Sequence, residues 1–145
     1  MPEPASRSGY IMGFDFGFRR IGVAVGQTTT HTASCLETVS HGQQPDWAAI
    51  DRLVGDWKPA VLVVGLPLGA DGEETDMSRA ARHFGETLRS RYHLDVEYAD
   101  ERLTSQAAGS RFAEQRSSGN LRRKDAGKLD AMAARIILEN WLQDD

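Results

Sequence analysis

The sequence predicts an α/β domain on a mixed five-stranded sheet: three antiparallel strands, then two helix-linked parallel strands, flanked by helices. Two strand-like runs at 10–16 and 21–26 are separated only by Gly17-Phe18-Arg19-Arg20, which reads as a hairpin. The short apolar run Val61-Leu62-Val63-Val64 has the pattern of a strand buried on both faces. Residues 94–99 alternate polar and apolar, and a helix-spaced stretch precedes each of these last two runs, so helical crossovers join them to the sheet.

The elements follow in order. Residues 1–9 are expected to form a flexible tail and 10–145 a single domain. A third strand lies around 33–39, ending at the polar, Pro-containing break 41–45. Asp46 is placed to cap a helix whose apolar positions Trp47, Ile50, Leu53, Val54 and Trp57 recur at helical spacing, and Pro59 marks its stop. That spacing makes Trp47 and Trp57 packing residues. Gly and Pro make 65–72 a loop. Asp76 is read as the cap of the next helix, with Met77, Ala80, Ala81, Phe84 and Leu88 inward and Arg79, Arg82 and Arg89 outward. After the strand at 94–99, a short helix is expected at 105–115 and a loop at 116–120. A final helix from Asp125 or Ala126 carries the stripe Leu129, Met132, Ala133, Ile136, Ile137 and Trp141.

Composition narrows the function classes. Among 145 residues, 40% are hydrophobic and 26% charged, which excludes a disordered or disulfide-framework chain. The one cysteine, Cys35, and the scattered His31, His41, His83 and His93 show no zinc-ligand spacing. No run approaches the ~18 apolar residues of a membrane span, and no signal peptide opens the chain, so a cytoplasmic protein is expected. Net charge is −4, yet Arg102, Arg111, Arg116, Arg122, Arg123, Lys124 and Lys128 face only Glu114 and Asp125 within 102–128. Cations are thus gathered in one region, and arginine dominates them, a fork suited to phosphate.

Carboxylates from three separate elements carry the chemistry, two of them at the carboxyl ends of strands. Asp15, between Phe14 and Phe16, stands at the carboxyl end of the first strand, where open α/β sheets place their sites. Asp100 and Glu101 end a later strand; adjacent acids point to opposite faces, so at most one joins Asp15, and alternation alone does not choose. Asp130 lies inside the last helix with Ala133, Ala134 and Ile137 at i+3, i+4 and i+7, which directs it toward something positive. Acids converging from three elements raise one another's pKa unless a cation intervenes. All-oxygen ligands select Mg²⁺ or Mn²⁺, which support phosphodiester hydrolysis.

Four blocks resemble the YqgF/RuvX family: Gly13-Phe14-Asp15-Phe16-Gly17 with Arg20-Ile21-Gly22-Val23-Ala24, Val64-Gly65-Leu66-Pro67-Leu68 with Asp71-Gly72, Asp100-Glu101-Arg102-Leu103-Thr104, and Lys128-Leu129-Asp130 with Ala133-Ala134. The resemblance spans about residues 10–142. It implies a ribonuclease-H-like fold related to Holliday junction resolvases, and a nuclease acting in 5′-end maturation of the 16S ribosomal RNA precursor. It further implies that Asp15, Glu101 and Asp130 are the catalytic, metal-binding acids, with Asp100 a close companion. Phe18 departs from the pattern, where relatives often carry Thr, and Gly69-Ala70 stands where Asn-Met is common.

Around the acids, Arg19, Arg20, Arg102, Arg122, Arg123, Lys124 and Lys128 are candidate phosphate contacts, supplying affinity without reading sequence. Gly17 and Gly22 read as plain hairpin glycines, or as positions allowing positive φ and close approach of the backbone to a phosphate. The expected function is Mg²⁺- or Mn²⁺-dependent cleavage of structured RNA, above all ribosomal precursor, by a monomer or homodimer. The alternatives are a resolvase of four-way DNA junctions, which would act as a symmetric dimer, and a non-catalytic RNA-binding assembly factor.

Overall fold

The structure, a computed structural model, describes residues 9–101 and 126–144. The N-terminal tail, the helix expected at 105–115, the loop at 116–120, and the candidate contacts Arg102, Arg122, Arg123 and Lys124 lie outside the described residues, as does the side chain of Lys128.

Strands β1 (Tyr10–Phe16), β2 (Arg20–Gln27) and β3 (Thr32–Ser40) come first. Helix α1 (Trp47–Trp57), β4 (Val61–Leu66), α2 (Asp76–Tyr92), β5 (Asp95–Asp100) and α3 (Ala126–Asp144) follow. The sheet order is β3-β2-β1-β4-β5. β1 pairs antiparallel with β2 and β2 with β3, whereas β1–β4 and β4–β5 are parallel. This is the mixed sheet the sequence predicts. β4 extends through Gly65 and Leu66, which pair with Ala99 and Asp100, so the loop starts two residues later than its glycine and proline content indicates.

Alternation along the strands separates two cores. Met12, Phe14 and Phe16 of β1 point to the side where Ile50 and Leu53 of α1 and Phe84 and Leu88 of α2 pack. Aromatic rings knit that side together: Phe84 lies 5.6 Å from Phe14 and 5.1 Å from Phe16, centroid to centroid, and Trp47 stacks on it at 5.7 Å. Trp57 meets Tyr10 edge-on, so both helical tryptophans pack as their spacing predicts. On the opposite face, Ile11, Ala24 and Val63 lie under Ala134, Ile137, Leu138 and Leu142 of α3. Ile136 and Ile137 are buried as expected, but the rest of the α3 stripe is rotated, with Ala134, Leu138 and Leu142 buried and Met132 and Ala133 only partly so; Trp141 sits at its edge and donates its indole N–H to Glu97.

Helix ends follow local chemistry. Asp46 caps α1 by accepting from the Ala49 N–H, and Lys58 ends it with a left-handed φ of 48°. For α2 the cap is Thr75 and not Asp76. The Thr75 hydroxyl accepts from the Ser78 N–H at 3.0 Å, and the Ser78 hydroxyl accepts from the Thr75 N–H at 2.7 Å, a reciprocal capping box. Asp76 instead occupies the first turn, where its charge suits the helix dipole.

Candidate active site

Asp15 is the penultimate residue of β1, and parity puts it on the α3 face with Ile11 and Gly13. The choice left open between Asp100 and Glu101 is resolved by the same alternation. Val96 and Tyr98 pack toward α2, whereas Glu97 binds Trp141 of α3 and Ala99 packs beneath that helix. Glu101 therefore falls on the face of Asp15. It reaches Asp15 across the intervening strand β4 because residue 65 has no side chain: a Cβ on Gly65 would lie 2.9 Å from Glu101 Cδ and 2.6 Å from Ile137 Cδ1.

Asp130 arrives by an equally close approach. Gly22 is the cross-strand partner of Asp15, and a Cβ there would run into the main-chain carbonyl of Asp130. The α3 backbone thus rests on bare β2 backbone beside Asp15. Gly22 serves helix approach, and neither it nor Gly17 needs positive φ; among the described residues the glycine with positive φ is Gly72, in the loop after β4.

The electrostatics of this corner are those of crowded acids. Burial, above all, pushes the Asp15 carboxyl up to about 6; its hydrogen bond with Glu101 works the other way, and the charge of Asp130 adds to the rise. Glu101 is pushed up to about 9 by burial, then by the charge of Asp15 and their shared hydrogen bond, with Asp100 contributing. Near neutral pH the pair keeps one proton, held on Glu101. The Glu101 Oε2 atom is buried and takes no hydrogen bond among the described residues.

Asp130 points toward a cation, as its helical neighbours predict. Its Oδ2 accepts from Arg20 Nε at 2.6 Å, a half-exposed ion pair between α3 and the start of β2. Arg20, a candidate phosphate contact, is thus occupied within the protein on one edge of its guanidinium. Gly17, Phe18, Arg19, Arg20 and Asp130 line a cleft of about 230 Å³ here. Among the described residues, no three His, Cys, Asp or Glu side chains come together as a set able to hold one ion. The structure brings Asp15 and Glu101 into contact and leaves Asp130 within electrostatic range, turned to Arg20.

This donor set fits a hard divalent cation. Two buried carboxylates in contact must otherwise share a proton, a cation displaces that proton, and Mg²⁺ is commonly held by one or two carboxylates plus substrate phosphate and water.

Comparison with known proteins places this architecture. The family model RuvX, described as a Holliday junction resolvase, matches residues 9–144. The chain belongs to the RuvX family. A RuvX relative from Xanthomonas euvesicatoria pv. vesicatoria, named "Putative pre-16S rRNA nuclease", is 46% identical over 145 residues, covering 98% of this chain and 94% of the relative. One of the same name from Xylella fastidiosa strain M23 is 46% identical over 147 residues, 99% and 95% of the two chains. Among solved structures, Thermus thermophilus RuvC in complex with a Holliday junction substrate superposes with a TM-score of 0.55 at 16% identity, covering 94% of each chain. The RuvX chain therefore has the ribonuclease-H-like fold of these resolvases.

Sequence reasoning about this RuvX protein passed over the roles of Gly65 and Gly22 as seats for Glu101 and α3. The signal was present: each is a glycine inside a strand, where a missing side chain often marks close approach. It also passed over His41, whose ring Nδ1 lies 2.7 Å from the Gly17 carbonyl oxygen. A carbonyl only accepts, so Nδ1 carries the proton and donates.

Proposed function

We propose that this protein is a metal-dependent endonuclease that hydrolyses phosphodiester bonds of structured RNA in the cytoplasm, the small-subunit ribosomal precursor being its substrate. Asp15, Glu101 and Asp130 are its acids. The observation that carries the reading is the buried contact between Asp15 and Glu101 at the carboxyl ends of β1 and β5, an arrangement costly to folding and useful when a cation is held. The names of the relatives at 46% identity support the RNA substrate.

Asp15 and Glu101 would hold Mg²⁺ or Mn²⁺, with Asp130 adding negative charge beside them. The ion, when bound, supplies Lewis acidity and lowers the pKa of attacking water. The chain's own residues seat and position: the bare backbone at Gly65 and Gly22 makes room for Glu101 and α3, and the cleft lined by Arg19 and Arg20 presents cations to a phosphate. Without the ion Glu101 is the carboxyl that keeps the shared proton, and it gives that proton up when the cation binds.

A cleavage assay with Mn²⁺ offers ribosomal precursor RNA and a four-way DNA junction in parallel, with Asp15→Asn as control. RNA cleavage that disappears in Asp15→Asn and in excess EDTA, with the fold intact by circular dichroism, is expected. Cleavage persisting in either would refute the assignment. The family description favours a junction substrate as the second reading; junction cleavage by a dimer with RNA left intact would establish it in place of the first.

A further inference from the structure

On the opposite side of the β1–β2 hairpin tip from α3 lies a groove of about 550 Å³, formed by that tip, the segment 41–45 and α2. Phe16, Phe18, His41, Trp47, His83 and Phe84 supply its rings. Phe18 is the large apolar residue left exposed among the described residues, at 53%. Its ring meets Phe16 edge-on at 6.0 Å, and Phe16 meets His41 at 5.1 Å, so the exposed ring continues an ordered aromatic wall.

The tip is pinned. The His41 main-chain N–H donates to the Arg19 carbonyl at 2.9 Å, and its ring Nδ1–H donates to the Gly17 carbonyl at 2.7 Å. Phe18 is thereby held out between two anchored residues. Among the described residues no acidic side chain lines the groove, in a chain of net charge −4, while the exposed Arg19 and Arg20 adjoin it. Phe18 also lines the small cleft that Arg20 and Asp130 share, so one side chain forms the ridge between the aromatic groove and the acid corner.

We propose that this groove takes an unpaired nucleobase of the nucleic-acid strand, stacked on Phe18, while that strand's phosphates run along Arg19 and Arg20. A ring face in this groove, beside Arg19 and the edge of the Arg20 guanidinium turned away from Asp130, suits the flat apolar surface and charged backbone of a nucleotide. Gln43 and Gln44, exposed on the rim, offer amides to the edge of a base. The inference rests on the nuclease reading and adds to it a preference for substrates with a single-stranded segment next to the cut.

The test measures binding of a fluorescent RNA hairpin with a short single-stranded tail and of the same hairpin blunt-ended, in Asp15→Asn protein so that no cleavage intervenes. Phe18→Ala should weaken tailed RNA by between about fivefold and about a hundredfold, leaving the blunt hairpin, the salt dependence and the thermal midpoint unchanged. Phe18→Trp should retain the affinity. Equal binding by Phe18→Ala, an equal loss on both RNAs, or no RNA binding at all would overturn the proposal. So would loss of self-association in sedimentation, which would make a second copy the occupant. If protein with Asp15 intact cleaves neither RNA nor junction while the tail preference still depends on Phe18, the nuclease reading fails and this one stands. If Phe18→Ala binds and cleaves tailed RNA as wild type does, the reverse holds.

Discussion

Replacing Glu101 by glutamine should make the metal-free protein more stable. In the folded chain Glu101 keeps its proton up to about pH 9 against an ordinary 4.5, because burial and the neighbouring Asp15 disfavour its charge. The unfolded chain releases that proton much earlier. Between roughly pH 4.5 and 9 the native state therefore binds more protons than the unfolded one, and stability declines as pH rises through that window. At pH 7 the displacement amounts to about 2.5 pH units, or at most about 3 kcal/mol at 1.36 kcal/mol per unit, less whatever relaxation and water entry recover. A glutamine amide keeps a donor for Asp15 and has no charge to lose. We expect a gain of about 1–3 kcal/mol at pH 7, corresponding to a rise of roughly 3–10 °C in Tm. Urea titrations of both proteins in EDTA at pH 5, 7 and 9 measure it, and the gap should widen with pH. Mg²⁺ should then narrow the gap by stabilising the wild type preferentially. A variant no more stable than wild type at pH 7 to 9, or a wild type whose stability is flat across the range, would refute the electrostatic account of this corner.

The two glycine seats should differ in tolerance. Gly22→Ala forces a methyl into the Asp130 main-chain carbonyl and should cost upwards of about 2 kcal/mol in urea, whereas at Gly13 the obstruction is the Leu138 side chain, 2.5 Å away, which can rotate, so Gly13→Ala should cost about 1–2 kcal/mol. Asp51 accepts two hydrogen bonds from Arg91, at 2.8 and 2.7 Å, and one from Tyr92, at 2.6 Å, tying α1 to α2. The Arg91 and Tyr92 bonds hold its carboxyl down at about 2, so its contribution is full above the unfolded value near 4 and fades as pH falls toward 2. Because the pair is well exposed, Asp51→Asn should cost only about 0.5–1 kcal/mol at pH 7, and the difference from wild type should vanish in titrations near pH 2.

The succession of elements was legible because β1, β2 and β4 read as short apolar runs bounded by turn residues, β5 alternates, and apolar residues recur at helical spacing in α1 and α2. The carboxylates were legible individually, Asp15, Asp100 and Glu101 as acids at strand ends and Asp130 by its small and apolar helical neighbours. Which of Asp100 and Glu101 faces Asp15 was not, because that depends on which side of the sheet α3 covers, a tertiary fact that the local alternation of β5 does not contain. Thr75 was passed over as a cap because Asp76 is an equally good capping residue one position later, and the outcome is decided by the reciprocal bond with Ser78. The α3 stripe was misplaced by part of a turn because alanines 131, 133 and 134 are all small enough for either face, and it is the bare backbone at Gly13, Gly22 and Gly65 that selects the orientation. Arg20 read as a candidate phosphate contact; its partner within the protein lies 110 residues away and only folding brings them together.

The main-chain contact at Gly22 bears on how such a protein can be altered. Spacing between a helix and a sheet ordinarily follows the bulk of the side chains between them, and can drift by a few tenths of an ångström as those residues are exchanged. At Gly22 nothing intervenes, so the height of Asp130 above β2 is set by atomic radii of the polypeptide itself. Redesign of the aromatic core on the far face would leave that height untouched. Moving the third acid relative to Asp15 requires sliding or turning the whole of α3.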